Sequence, residues 1–215
     1  MTDQTMKQTV LDELNWEPSI DAAHIGVTAR DGVVTMTGHV ASYAEKCAAE
    51  RAVERVSGIK AVAQELEVRY PFSNTNGDED IAQRAVQALS WDVFVPRDKV
   101  KIKVTKGLAT LSGDLDWQYQ KGAAESVIRR LSGVTGVANE IKIKPSVKAS
   151  DVRDKIKAAF VRNAQIDADD ITVATDGGKV TLSGNVDSMH ERSMAQNTAW
   201  SAPGVTQVED LLTVN

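Results

Sequence analysis

The chain is poor in the residues that build reactive centres. Its 215 residues include one cysteine, Cys47, and three histidines. A lone cysteine forms no internal disulfide, so nothing in the sequence asks for an oxidising compartment. No stretch approaches the run of about eighteen apolar residues that a membrane-spanning helix needs. The opening Met1-Thr-Asp-Gln-Thr-Met-Lys-Gln8 has no basic region followed by an apolar run. No signal peptide is therefore read, and the cytoplasm is the expected location. Hydrophobic content of 42% with 26% charged residues is ordinary for a globular protein.

What the chain has instead is repetition. Thr35-Met36-Thr37-Gly38, Thr110-Leu111-Ser112-Gly113 and Thr181-Leu182-Ser183-Gly184 align without a gap. A turn glycine precedes each by six residues (Gly32, Gly107, Gly178), and another follows at twenty (Gly58, Gly133, Gly204). Three copies of one unit of about 65 residues fill nearly the whole chain. The expected domains are 1–72, 78–144 and 148–215, joined by loop-like segments at 71–77 and 145–150. A unit of this size buries only about 60% of its unfolded surface, so packing against neighbours is expected.

Each unit opens with a helix. Its apolar positions are Met6, Val10, Leu11 and Leu14; then Ile81, Ala85, Val86 and Leu89; then Val152, Ile156, Ala159 and Phe160. Val100, Ile102 and Val104 alternate with Lys101, Lys103 and Thr105, a period of two that marks a strand with one dry face. Asp31-Gly32, Lys106-Gly107 and Gly177-Gly178 supply hairpin turns, where glycine accepts a positive φ. A second strand follows, over 33–37 or 180–183. Ser42-Tyr43-Ala44-Glu45 and Ser188-Met189-His190-Glu191 have capping-box spacing for a second helix. A last strand closes the unit, as over 139–144. The predicted fold class is α+β: three tandem αββαβ domains, each a three-stranded mixed sheet with two helices on one face.

The hairpin strings Asp31-Gly32-Val-Val-Thr-Met-Thr-Gly38, Gly107-Leu-Ala-Thr-Leu-Ser-Gly113 and Gly178-Lys-Val-Thr-Leu-Ser-Gly184 carry a family resemblance. So do the later steps Gly58-Ile59, Gly133-Val134 and Gly204-Val205. In triplicate, the chain resembles the BON domain, a bacterial module of osmotically inducible and nodulation proteins. The resemblance implies the αββαβ fold, no catalytic machinery, no cofactor, and roles in envelope or osmotic stress. Phospholipid binding is often proposed for the family. A potassium-responsive role is a further implication, since one cytosolic relative binds that ion.

Motifs for chemistry are missing. His24, His39 and His190 are far apart in sequence, and His190-Glu191 is not followed by the second histidine of a zinc protease. All three read as surface side chains. Cys47 stands where the other copies have Gly122 and Ser193, a small-residue position with no base to activate a nucleophile. Asp167, Asp169 and Asp170 lack the spacing of a calcium loop. No Gly-Lys-Ser/Thr string follows the glycines, which excludes a phosphate cradle of that kind. No enzyme activity, metal or cofactor is expected.

Function is then sought where the copies disagree. Net charge is −4 for 1–72, +2 for 78–144 and −3 for 145–215. Trp16 and Trp91 share one position after the first helix and read as packing anchors. Trp117 replaces Ser42 and Ser188, Tyr119 replaces Ala44 and His190, and Phe94 replaces Ser19 and Gln165. Phe94 precedes the first hairpin strand and the other two follow the second, so the three rings are expected together at one end of the middle domain. Arg97, Lys99 and Lys121 lie nearby, with Asp98, Asp114 and Asp116. Trp200 replaces Glu54 and Arg129 and reads as an interface residue.

Aromatic rings beside cations suit an anionic, partly apolar partner such as a phospholipid surface. The same rings also suit a seam against a flanking domain. The leading reading is a non-enzymatic stress-response binding or adaptor protein that contacts anionic phospholipid or envelope components. A soluble scaffold or chaperone-like protein that binds other proteins is the alternative. Acidity overall disfavours nucleic acid.

Overall fold

The computed structural model describes residues 2–70, 77–144, 151–163 and 166–214. Helix α1 (Asp3–Trp16) starts where the Thr2 hydroxyl accepts the Thr5 N–H at 3.2 Å, and it buries Met6, Val10 and Leu14. A short 3-10 turn at Ala22–His24 leads into β1 (Ile25–Arg30), antiparallel to β2 (Val33–Val40). Helix α2 (Tyr43–Glu54) and β3 (Ala61–Val68) complete the repeat, and β2 is the central strand.

The pattern recurs. The middle repeat holds α3 (Asp78–Trp91), β4 (Val100–Thr105), β5 (Leu108–Leu115) and α4 (Gln118–Arg129). Its closing strand comes in two pieces, β6 (Gly136–Asn139) and β7 (Lys142–Ile143), both parallel to β5. The third repeat holds α5 (Val152–Arg162), β8 (Ile171–Asp176), β9 (Lys179–Val186), α6 (Met189–Trp200) and β10 (Gln207–Val214), with β10 parallel to β9. Each repeat is thus the predicted α+β unit with a mixed sheet.

One local expectation fails. The middle closing strand was expected as one piece over 139–144, yet it begins at Gly136 and breaks at Glu140 and Ile141. There the Asn139 side chain accepts the Ile141 N–H at 3.3 Å while Ile141 itself is buried. Val86, which shares helical spacing with Ile81, Ala85 and Leu89, is exposed, because Ala85 takes the inward position beside it.

The glycine that ends each hairpin has a steric reason. Gly38, Gly113 and Gly184 have φ of 110°, 142° and 128°. A Cβ at these positions would lie 2.1, 2.0 and 2.0 Å from the carbonyl oxygens of His24, Lys99 and Asp170. No other residue fits so close an approach.

By internal contacts the chain groups into two compact units: Met1–Val40 with Glu45–Glu67 and Val147–Asn215, and Ala41–Ala44 with Val68–Ser146. In the second unit Ile81, Ala85 and Leu89 of α3 meet Leu111 and Leu115 of β5 and Ile128 of α4. Tyr70 joins it, donating its hydroxyl to the Val134 carbonyl at 2.6 Å. In the third repeat, Phe160 and Ile156 of α5 bury against Leu182 and Val173. Among the described residues no helix is long and apolar enough to cross a membrane.

Candidate docking surface

The loop between α3 and β4 is pinned at one point and open elsewhere. Val95 is buried, and the Asp92 carboxylate accepts the Phe94 N–H at 2.8 Å. Val93 and Phe94 are thereby turned to solvent, with Phe94 59% exposed. The Phe94 ring meets Tyr119 of α4 edge to face at 6.1 Å, and Tyr119 meets Trp117 at 6.4 Å with planes tilted 34°. Phe94, Trp117 and Tyr119 therefore gather as the hairpin geometry implied. Tyr119 is 58% exposed and Trp117 half-buried.

Trp117 occupies the N-cap of α4, where its side chain makes no capping bond. In the third repeat the Ser188 hydroxyl accepts the Glu191 N–H at 3.1 Å. The middle repeat forgoes that bond and keeps only the reverse one, from the Trp117 N–H to Gln120 Oε1 at 3.2 Å. Loss of a hydroxyl cap costs about 1 kcal/mol. The indole is thus present at some expense to its helix.

The cations divide. Lys121 donates to the Ile141 carbonyl at 2.8 Å, and Lys46 makes the same bond to Leu66 at 2.7 Å in the first repeat. That contact belongs to the construction of the unit. Lys99 pairs with Asp116 at 3.3 Å, and Lys144 pairs with Asp114 at 2.6 Å. Arg97 is exposed and makes no ion pair among the described residues.

Trp16 and Trp91 are not packing anchors: they are 82% and 76% exposed. Each ends its helix two residues past the last buried leucine, Leu14 or Leu89, roughly 200° around the helix from the core face. Trp91, with Val86, Pro96 and Arg97, lines a groove of about 300 Å³ beside the ring cluster's loop. Val93 is also exposed. Trp200 is half-buried and packs against the core of its own repeat. Among the described residues no group of three or more histidine, cysteine, aspartate or glutamate side chains is placed to hold a metal.

The chain is thus a protein of three small α+β repeats, the middle one with exposed aromatic rings. The BON domain family model matches residues 2–70, 77–145 and 148–215, and the chain belongs to the BON domain family. It is 31% identical over 148 residues to osmotically-inducible protein Y of Escherichia coli (strain K12), spanning 67% of this chain and 74% of that protein. Among solved structures it is similar to CdsD, a structural protein of the type III secretion system of Chlamydia trachomatis. That match is 18% identical with a TM-score of 0.27, over 97% of this chain and 91% of the other. The PrgH periplasmic domain matches at 10% identity and a TM-score of 0.21, over 95% and 99% of the two chains.

Proposed function

We propose that the protein is a non-enzymatic stress-response binding protein whose middle repeat docks on anionic phospholipid through Phe94, Trp117 and Tyr119, with Trp91 and Arg97 beside them. The observation that carries this reading is the exposed Phe94–Tyr119 pair, with Arg97 on the same loop as Phe94 and in no ion pair among the described residues. Kinship with an osmotically inducible protein supports the stress setting.

Magnitudes say which contact dominates. A cation near an anionic membrane surface contributes about 1 kcal/mol. An aromatic ring buries about 150–250 Å² at about 25 cal/mol per Å², so covering the exposed half of each ring gives roughly 2–3 kcal/mol. The rings hold the protein to the surface, and the charge selects which surface. Co-sedimentation of the full chain with vesicles tests this. Vesicles containing phosphatidylglycerol are expected to retain it more than pure phosphatidylcholine, with retention weakened about a thousandfold for Trp117→Ala with Tyr119→Ala, which together lose roughly 4 kcal/mol. Absence of retention by the unaltered chain, or retention that the double variant leaves unchanged, overturns the proposal. In that event the groove beside Trp91 favours the scaffold reading, with a protein segment as occupant.

A further inference from the structure

We propose that His24 and His39 form a two-histidine site for a borderline divalent metal ion, Zn²⁺ or Cu²⁺, on the outer face of the first sheet. The site is built by strand register. Ile25 pairs with Gly38, so the next residues outward, His24 and His39, stand directly opposite each other. Ile25 and Val27 of β1 point into the core, as do Met36 and Val40 of β2. Alternation therefore sends both histidines to the face away from the helices. Their rings stack with centroids 4.6 Å apart and planes 20° from parallel.

Neutral imidazole is the common ligand for ions of this class. Two Zn–N bonds of about 2.0–2.1 Å at a tetrahedral angle ask for nitrogens about 3.3 Å apart. Rings at this spacing reach it by turning about their Cβ–Cγ bonds, which are soft torsions. The backbone beneath them is fixed, since Gly38 already lies against the His24 carbonyl. Water fills the remaining coordination positions.

Two further observations point the same way. Asp114 faces Lys142 and Asn185 faces Thr213 across the central and closing strands. The same register places Glu67 beside His39, adding negative charge to a repeat already at −4. Finally, the counterparts of the two histidines are Lys99 with Asp114 and Asp170 with Asn185. The fold accepts quite different pairs here, so packing does not explain a histidine in both places.

Calorimetric titration of the tag-free full chain with Zn²⁺ near neutral pH tests the site. One ion per chain is expected, with affinity reduced about tenfold or more in His24→Ala and in His39→Ala, because a single ligand loses the chelate advantage. His190→Ala is expected to match the unaltered chain. If either alanine variant misfolds by circular dichroism, ring NMR of the unaltered chain decides instead: two of the three histidines should shift on adding Zn²⁺. No saturable binding, variants that bind as the parent does, or unmoved rings of His24 and His39 overturn the proposal. None of these residues belongs to the lipid-docking face, so the two proposals stand or fall separately.

Discussion

Phe94 and Tyr119 meet edge to face, with planes at 90° and centroids 6.1 Å apart, although one ring comes from a loop and the other from a helix. Such pairs hold each other by roughly 0.5–1.5 kcal/mol beyond burial. Each ring nevertheless keeps more than half its surface open. The pairing fixes the rings without hiding them, so little side-chain freedom remains to be lost on docking.

Trp117→Ser separates docking from folding. A serine there restores the hydroxyl cap seen at Ser188, and urea unfolding should show a gain of about 0.5–1 kcal/mol. Vesicle retention should fall in the same variant. A protein that is more stable and binds less identifies the indole as functional.

Gly113→Ala should damage the middle repeat. Its Cβ would lie 2.0 Å from the Lys99 carbonyl. The strand pair must part or the loop bearing Phe94 must move, at about 3 kcal/mol or more. Thermal unfolding followed by circular dichroism reads the loss.

Trp16 and Trp91 should be the tryptophans most open to an aqueous quencher, ahead of Trp117 and Trp200. Single-tryptophan variants followed by acrylamide quenching check the order. Trp16→Ala should change unfolding free energy by no more than about 0.5 kcal/mol, since the ring covers no core.

Two carboxylates give opposite pH responses. Asp78 accepts the Gly107 and Lys106 N–H groups, which hold its pKa below the usual aspartate range. Its contribution is present above the unfolded pKa and is lost as pH falls through the depressed folded value. Asp78→Asn should flatten the acid limb of the stability profile. Burial first, and then the nearby Glu50 charge, raise the pKa of Glu54. The folded state therefore prefers Glu54 protonated, and ionisation above the raised pKa opposes folding. Glu54→Gln should raise the melting temperature at neutral pH and change it little in acid.

The repeated hairpin was legible because its glycines and alternating strands are local signals, and the meeting of Phe94, Trp117 and Tyr119 follows from hairpin connectivity alone. The direction of Trp16 and Trp91 was not legible. One helical position decides between core and solvent there, and a large apolar residue biases the reading inward. The His24–His39 pair was recoverable: a turn centred on Asp31-Gly32 sets those two residues opposite each other. Sequence distance between the histidines concealed what the register supplies. The pairing of Lys99 with Asp116, and the hold of the Ile141 carbonyl on Lys121, depend on side-chain geometry that no spacing rule contains.

Lys101 and Lys103 on β4 acquire a role from the strand's place at the margin of its sheet. Unbonded backbone along such a margin invites another chain to add itself as the next strand. Two copies approaching there would bring like-charged ammonium groups together. At that edge the middle repeat thereby carries its own safeguard against polymerising into an endless ribbon.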